Sequence, residues 1–263
     1  MTKMVTTLDS PNTRPQGTTV VVTGGARGIG AATALLAAQR GYAVVVVYHT
    51  NGRAAQTVVD RVVSNGGTAL AVQADVGTEH GVQRLFQTVD ERMPPLHGLV
   101  NNAGVLAQQM RVEDMGTERL QWVFQTNVIG PFLCAREAVK RLSTRHGGRG
   151  GAVVNVSSMA ARLGAPNEYV DYAASKGAVD AMTVGLAKEV AAEGIRVNAV
   201  RPGVIYTDIH ASGGEPNRVD RVKHTVPMGR GGQPEEVAEA ICWLLSDQSS
   251  YTTGAFIDVA GGR

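Results

Sequence analysis

The sequence predicts a doubly wound α/β fold, a single domain in which a mostly parallel sheet of about seven strands is covered by helices on both faces. Short apolar runs rich in β-branched residues alternate with longer helical patterns along the 263 residues, as they do where helices connect parallel strands. The runs at 20–23 and 44–47 are continuously apolar, which is typical of strands buried on both faces. No linker or second core appears, so residues 17–263 form one predicted domain. Residues 1–16 are expected to form a polar tail or an arm that docks elsewhere.

Each predicted strand but the last is followed by a helix or a loop that leads to the next strand. The strands are TTVVVTG (18–24), YAVVVVY (42–48), ALAVQAD (69–75), HGLVNNAG (97–104), GAVVNVSS (151–158), IRVNAVRPG (195–203) and AFIDVAGG (255–262). The main predicted helices lie at 30–41, 52–67, 78–93, 117–145 and 170–193. This order predicts a parallel sheet wound on both sides.

Composition excludes several classes of protein. A hydrophobic fraction of 43% and a charged fraction of 18% describe a soluble globular chain, and a net charge of +2 does not indicate a nucleic-acid partner. The stretch RHGGRGG (145–151) could contact nucleic acid, but its place between a helix and a strand favours a solvated turn. No apolar run reaches the roughly 18–20 residues of a membrane helix, and the N-terminus does not resemble a signal peptide.

Cysteine and histidine usage points to a cytoplasmic protein without a metal site. Cys134 and Cys242 lie in helical patterns and no CxxC pair occurs, so we expect reduced, buried thiols. The six histidines show no spacing that is typical of metal ligands.

A glycine-rich turn joins the first strand to the first helix. In TGGARGIG (23–30), Gly24, Gly28 and Gly30 follow the pattern T-G-x-x-x-G-x-G. Such glycines let the backbone approach a pyrophosphate, which the free N–H groups and positive dipole end of the helix then bind. Glycines also serve strand-to-helix turns that bind no ligand, but the position after the first strand favours a nucleotide.

The residues after the second strand favour NADP(H) over NAD(H). NAD enzymes of this fold usually place an acidic residue there to bind the ribose, whereas this chain has no Asp or Glu until Asp60. Donors suited to a 2′-phosphate are instead present at Arg27, His49, Thr50, Asn51 and Arg53. The alternative is that Arg27 and Arg53 face solvent. Asp75, after the third strand, could bind the adenine or cap a helix.

Several motifs occur in a characteristic order. TGGARGIG is followed by NNAG (101–104), NVSS (155–158) and YAASK (172–176), with Asn127 in QTNVIGPF and RPG at 201–203. Together they resemble the short-chain dehydrogenase/reductase family over about residues 18–263. The chain is similar to the bacterial branch that holds 3-oxoacyl-carrier-protein reductases and glucose dehydrogenases. The resemblance implies a Rossmann-type fold and a homotetramer in which helices 117–145 and 170–193 pack against a neighbour.

The resemblance also implies the site residues. The catalytic tetrad would be Asn127, Ser158, Tyr172 and Lys176. The cofactor would contact the catalytic pair Tyr172 and Lys176 and the residues already named after strands one to three. It would also contact Ile29, Val76, Asn102, Ala103, Gly104, Pro202, Gly203, Ile205 and Thr207. Ser158 and Tyr172 are fourteen residues apart, one more than is common in the family, so either Ser157 or Ser158 could be catalytic; we favour Ser158.

The chemistry explains why these residue types occur together. A ketone that accepts hydride needs a proton, and a phenol with a pKa of about 10 holds its proton too tightly for easy exchange near neutral pH. A lysine charge at about 5 Å and an effective dielectric constant of about 20 would lower that pKa by about two units. Lys176 follows Tyr172 by four residues, one turn along the same helical face. Ser158 would stabilise the substrate oxygen, and Asn127 would hold a proton-relaying water.

Each of these features has a plainer explanation when taken alone. Tyr-x-x-x-Lys occurs in helices by chance, and a serine at a strand end often caps a turn. Tyr169 lies seven residues before Lys176, which is too far along the helix axis for the lysine to change the pKa of its phenol. We expect Tyr169 to form a pocket wall or to be a packing residue.

Substrate selectivity is assigned to the loop after the sixth strand, residues 207–227, which we expect to close over a ligand. Arg218, Arg221 and Lys223 could meet an acidic carrier protein or phosphopantetheine, but a solvated helix face is favoured. The leading hypothesis is an NADP(H)-dependent oxidoreductase acting on a small carbonyl or alcohol substrate. A 3-oxoacyl-carrier-protein reductase or a sugar dehydrogenase is the alternative, and a non-catalytic nucleotide-sensing regulator is a third.

Overall fold

The computed structural model describes residues 17–263; the expected polar tail, residues 1–16, lies outside them. Seven parallel strands form one sheet in the order β3-β2-β1-β4-β5-β6-β7. The strands are β1 (Thr19–Val22), β2 (Ala43–Tyr48), β3 (Ala69–Gln73), β4 (Leu96–Asn101), β5 (Gly151–Val156), β6 (Ile195–Pro202) and β7 (Phe256–Val259). The predicted single-domain, doubly wound fold is confirmed, and all the strand pairs are parallel.

Ten α-helices are present among residues 17–263. They are α1 (Gly28–Gln39), α2 (Gly52–Ser64), α3 (Glu79–Arg92), α4 (Thr117–Phe124), α5 (Gly130–Leu142), α6 (Ala160–Leu163), α7 (Val170–Val190), α8 (Ile209–Ser212), α9 (Arg218–Val222) and α10 (Pro234–Leu245). Within that range none of them combines the length and hydropathy needed to cross a membrane.

Valines of the central strands explain why both faces of the sheet are covered. Val20 and Val22 of β1 belong to the apolar layer that includes α1 and α10, while Val21 belongs to the layer with α3, α5 and α7. Successive side chains of a strand point to opposite faces, so a continuous valine run supplies both layers. Each buried valine side chain contributes roughly 1.5–3 kcal/mol to folding. Cys134 and Cys242 are buried within these layers and form no disulfide in the described chain, as expected.

The strand order places the site. β1 lies between β2 and β4, so the chain reverses direction across the sheet after β3. Ligands of such sheets bind outside the carboxyl ends of the strands at this reversal. Val22 of β1 pairs with Val100 of β4, which brings the glycine turn and the NNAG segment side by side.

The predicted helix at 117–145 is not continuous. α4 ends at Phe124, a π-helical turn spans Gln125–Ile129, and α5 begins at Gly130. The wider turn buries Asn127, whose side chain bonds the backbone of Val105 on a neighbouring loop. Single π turns of this kind are frequent at functional sites. Apolar periodicity continues through the break, which is why the sequence pattern did not predict it.

Candidate active site

A cavity of about 1380 Å³ lies at the carboxyl ends of the strands and extends under the loop 207–227. Most of the sequence-predicted site residues line it. They are Gly24, Arg27, Gly28, Ile29, His49, Thr50, Asn51, Asp75, Val76, Asn102, Ala103, Gly104, Ser158, Tyr172, Lys176, Pro202, Gly203, Ile205 and Thr207. Gly30 and Asn127 lie behind this lining, where they support it.

The glycine turn has the geometry of an anion site. Gly24 and Gly28 have φ angles of +63° and +52°, which glycine adopts without strain. A Cβ at Gly30 would lie 2.3 Å from the carbonyl oxygen of Gly24, so only glycine fits there. Arg27 precedes α1 without a side-chain cap from the described residues, and the first turn carries no acidic side chain. The first N–H groups of α1 and its positive dipole end are therefore available to a phosphate.

A threonine that sequence reasoning missed holds this turn against β4. Thr23 Oγ1 accepts hydrogen bonds from the backbone nitrogens of Asn102 and Ala103, both at 3.0 Å. Asn102 Nδ2 in turn donates to the carbonyl oxygens of Thr23 at 2.9 Å and Gly24 at 3.1 Å. The sequence alone does not show these contacts, because Thr23 and Asn102 are far apart along the chain.

The end of β2 carries hydrogen-bond donors and no carboxylate. His49 and Thr50 are exposed at the cavity rim. Asn51 Oδ1 accepts from the Ala54 nitrogen at 3.0 Å and so caps α2, which leaves its Nδ2 donor for a ligand. Arg53 is outside the lining, in accord with the solvent-facing alternative for that residue.

Asp75 stabilises the turn before α3, but the residue that caps this helix is Thr78. Its Oδ1 accepts from the backbone nitrogen of Gly77 at 2.9 Å, which stabilises the turn before α3. The side chain is also exposed at the cavity, beside Val76. The turn therefore holds the carboxylate at the cavity, and its contact with an adenine stays a prediction.

Tyr172 and Lys176 lie one turn apart on α7, and their surroundings favour the neutral form of both. Lys176 Nζ is 5.6 Å from the centre of the Tyr172 ring and donates to the Val156 carbonyl oxygen at 2.7 Å. Burial raises the pKa of Tyr172 to about 12, although the Ser158 side chain opposes the rise. Burial lowers the pKa of Lys176 to about 8, against the attraction of Asp180. The expected lowering of the Tyr172 pKa is therefore wrong for the protein's own groups, because burial of the phenol is the largest influence on this pKa and raises it.

The two serines of NVSS have different environments. Ser157 is 2% exposed, and its hydroxyl donates to the Lys176 carbonyl oxygen at 3.3 Å. Ser158 is half-buried, accepts from the Ala160 nitrogen at 3.1 Å and lies beside the Tyr172 phenol. Ser158 can thus donate its hydroxyl hydrogen to a ligand, whereas Ser157 already donates its hydroxyl hydrogen to the backbone of α7.

Asn127 clamps the loop that follows β4. Its Oδ1 accepts from the Val105 nitrogen at 2.8 Å, and its Nδ2 donates to the Val105 oxygen at 3.0 Å and to Ser175 Oγ at 3.1 Å. A Cβ at Gly104 would lie 3.4 Å from Asn127 Oδ1 and 3.7 Å from Lys176 Nζ, so these two groups are neighbours. The relay through a water stays a prediction, but both amide hydrogens are already in use.

Comparison with known proteins identifies the family of the chain. A family model described as Enoyl-(Acyl carrier protein) reductase matches residues 24–263. The Escherichia coli K12 protein named uncharacterized oxidoreductase YgfF is 61% identical over 243 residues, which are 92% of this chain and 98% of that protein. Glucose 1-dehydrogenase 2 of Bacillus subtilis is 37% identical over 246 residues, 94% of each chain. The chain belongs to the short-chain dehydrogenase/reductase family.

A solved structure supports the same membership. The crystal structure of a dehydrogenase/reductase from Sinorhizobium meliloti 1021 matches with a TM-score of 0.86 and 31% sequence identity, over 94% of both chains. The expected family is confirmed, and the protein is an oxidoreductase of the short-chain type.

The segment between Ser158 and Tyr172 contains two non-glycine residues with a left-handed backbone. After α6, Ala165 and Asn167 adopt φ angles of +45° and +62°. A left-handed conformation costs a non-glycine residue roughly 1–2 kcal/mol. Tyr169 follows, directly before α7, with its side chain against the cavity as expected. The strained backbone therefore shapes one wall of the site.

The loop 207–227 is held to that wall by ion pairs. Arg218 Nη2 donates to Glu168 at 2.5 Å and Nη1 to Glu215 at 3.1 Å, while Arg221 also pairs with both carboxylates. The Arg218 side chain is 14% exposed and its guanidinium lies 5.1 Å from the centre of the Tyr169 ring. The predicted solvated face is therefore wrong for Arg218, because Glu168, fifty residues away in sequence, supplies a partner.

Proposed function

We propose that the protein is an NADP(H)-dependent oxidoreductase that transfers hydride between the nicotinamide and a carbonyl or secondary-alcohol substrate. The observation that carries the proposal is the shared cavity: Ser158, Tyr172 and Lys176 line the same space as the uncapped glycine turn. The uncapped N–H groups of α1 and the donors after β2 fit a dinucleotide. When bound, the nicotinamide supplies or accepts the hydride.

The proposed roles follow from the surroundings of each side chain. Ser158 donates a hydrogen bond to the substrate oxygen and stabilises its developing negative charge. Tyr172, whose raised pKa keeps the phenol protonated, gives its proton to that oxygen in reduction. The Lys176 ammonium, fixed by the Val156 carbonyl, stabilises the phenolate that remains. Asn127 keeps Val105 and the neighbouring loop in place beside Lys176.

The preference for NADPH is supported by Arg27 in the glycine turn and by the donors at the end of β2, which line the same cavity. We expect kcat/KM to be at least about tenfold higher with NADPH than with NADH, which corresponds to about 1.4 kcal/mol. Arg27→Ala should reduce this ratio, while Arg53→Ala, a matched change outside the cavity lining, should leave it unchanged. A higher kcat/KM with NADH would contradict the role given to Arg27.

Three further functions are tested by the same assay. A 3-oxoacyl-carrier-protein reductase would show its highest kcat/KM with acyl thioesters, and a sugar dehydrogenase with free sugars. A nucleotide-sensing regulator would bind NADPH tightly and turn over no member of a panel of ketones, acyl thioesters and sugars. Reduction of simple ketones with oxidation of NADPH is the result we expect.

A homotetramer is the proposed assembly. Large apolar side chains are exposed on α4 and α5, the helices expected to pack against a neighbour, among them Trp122 at 48% and Phe132 at 50%. Val184 on α7 is exposed as well. A second copy of the chain would remove these apolar surfaces from water.

The proposed location is the cytoplasm. Cys134 and Cys242 are buried free thiols, which suits a reducing compartment. Burial raises the pKa of each thiol to about 12, so neither is a reactive thiolate.

A further inference from the structure

The part of the cavity beneath the loop 207–227 contains two polar atoms without a hydrogen-bond partner among residues 17–263. They are Tyr169 Oη and His210 Nδ1, and both are buried. Their residues line the cavity that holds Tyr172. Because buried polar atoms are nearly always hydrogen-bonded in folded proteins, two such atoms in one ligand cavity suggest that a ligand supplies the partner.

The hydrogen-bonding role of His210 is set by its other ring nitrogen. His210 Nε2 lies 3.0 Å from the carbonyl oxygen of Ile205. A carbonyl oxygen can only accept, so the hydrogen is on Nε2 and Nδ1 carries a lone pair. Burial lowers the pKa of His210, which keeps the ring neutral. Nδ1 therefore needs a ligand group that donates a hydrogen bond.

Tyr169 Oη lies next to the same short helix. A Cβ added at Gly213, the residue that follows α8, would be 3.3 Å from Tyr169 Oη, and His210 belongs to α8. The Gln109 side chain is close enough to oppose the rise in the Tyr169 pKa that burial causes, but it makes no hydrogen bond of acceptable geometry to the phenol. Its amide nitrogen donates to Glu215 at 2.7 Å.

The charge on this wall is balanced. Arg218, which stacks on the Tyr169 ring, is paired with both Glu168 and Glu215. Its positive charge is therefore not available to a carboxylate or phosphate of a ligand. An anion would also meet the lone pair of His210 Nδ1. A neutral group that both donates and accepts hydrogen bonds fits these surroundings, and a hydroxyl is the simplest such group.

We propose that His210 Nδ1 and Tyr169 Oη bind a hydroxyl group of the substrate, so that the substrate is a neutral hydroxylated ketone, or the corresponding polyol, rather than an anionic or purely apolar carbonyl compound. Both atoms are covered by neighbouring atoms in the structure, so each side chain turns towards the cavity when the hydroxyl donates to Nδ1 and accepts from the phenol. This inference rests on the proposed function, because it assumes a substrate whose carbonyl group reacts beside Tyr172 and Ser158. The hydroxyl lies elsewhere on the same substrate, away from the carbonyl carbon.

Steady-state kinetics with NADPH test the inference on the full chain. The substrates are methyl ketones with a terminal hydroxyl, in a series of chain lengths, each compared with the analogue in which a methyl replaces the hydroxyl. At the best length we expect kcat/KM at least about tenfold higher for the hydroxylated member, since a site built to bind a hydroxyl discriminates strongly against its absence. Tyr169→Phe and His210→Leu should each bring the ratio towards one.

Three further variants separate this effect from a general loss of structure. His210→Asn places an amide oxygen near the position of Nδ1 and should retain part of the preference. Tyr251→Phe and His224→Leu remove the same groups from exposed positions and should leave the ratio unchanged. Tyr169→Phe deletes only an oxygen atom, so a ratio unaffected in this variant would overturn the proposal.

Failure of this inference differs from failure of the proposed function. Turnover of both ketone series with a ratio near one at every length would overturn the inference alone. No turnover with any ketone would reject the proposed function, and calorimetric titration of terminal diols into the protein with NADPH then decides the inference. Binding that depends on the hydroxyl and is lost in Tyr169→Phe supports it, whereas equal binding by both proteins overturns it.

Discussion

Lys176 is a catalytic-site residue whose charge changes close to neutral pH. The residue is 4% exposed, its ammonium group donates to the Val156 carbonyl oxygen, and burial lowers its pKa to about 8. The same burial raises the pKa of Tyr172 to about 12. Below about pH 8 the pair therefore consists of a protonated phenol and a charged lysine, which is the combination needed to reduce a carbonyl.

We predict that kcat/KM for ketone reduction is flat below about pH 8 and falls above it, as Lys176 loses the proton that stabilises the phenolate. The phenol stays protonated over this range, so the decrease reports the lysine. The measurement is a pH profile of NADPH oxidation. Lys176→Met should be slow and should show no decrease between about pH 7 and pH 10, and a wild-type profile flat across that range would contradict the assignment.

The two adjacent serines offer a matched pair of variants. Ser158→Ala should lower kcat by about 100- to 1000-fold, because it removes a hydrogen bond to the developing oxyanion. Ser157→Ala should cost about 1 kcal/mol of stability and less than about tenfold in kcat, because its hydroxyl serves the backbone of α7. Thermal unfolding and initial rates of both variants provide the test. The opposite ranking of the kcat values would make Ser157 the catalytic serine.

At the scale of elements, the loop 207–227 is attached to the wall before α7 by opposite charges. Arg218 and Arg221 on α9 pair with Glu168 and Glu215. The partly exposed pairs are each worth little, but Arg218 is largely buried and joins two chain segments. The network therefore sets how tightly the loop covers the cavity.

We predict that Arg218→Leu raises the substrate KM several-fold, leaves the Kd of NADPH within about twofold and increases amide hydrogen exchange across residues 207–227. Lys223→Ala, which breaks an exposed pair with Asp220 on the same loop, is the control and should change none of these quantities. Unchanged exchange in Arg218→Leu would show that the ion pairs do not hold the loop.

The sequence predicted the strands of the sheet, most of the helices and the residues that meet at the cavity, because these depend on local periodicity and on short motifs. It did not predict the π turn at 125–129, since the bonds that stabilise this turn run from Asn127 to Val105 and Ser175. Nor did it predict the environment of Arg218, whose partner Glu168 lies in another segment. Contacts between distant parts of the chain, and burial, decided these features.

At the scale of the whole molecule, the exposed apolar side chains of α4 and α5 predict association. We expect a mass four times the 27.6 kDa of the chain in light scattering after size exclusion. Phe132→Glu should yield smaller species, because it places a charge in the proposed interface. Val63→Glu on α2, which changes a similarly exposed apolar residue elsewhere, should leave the mass unchanged. A wild-type monomer would contradict the proposed assembly.

The most direct test of the proposed reaction is the rate of NADPH-dependent ketone reduction in the wild-type protein and in Tyr172→Phe, measured together with the Kd of NADPH. We predict that the wild-type protein reduces ketones. The kcat of Tyr172→Phe should be about 100- to 10,000-fold lower, which is the range expected for loss of a general acid. NADPH should bind both proteins with Kd values within about twofold. A Tyr172→Phe variant that keeps most of its kcat would contradict the assignment of Tyr172 as the acid/base.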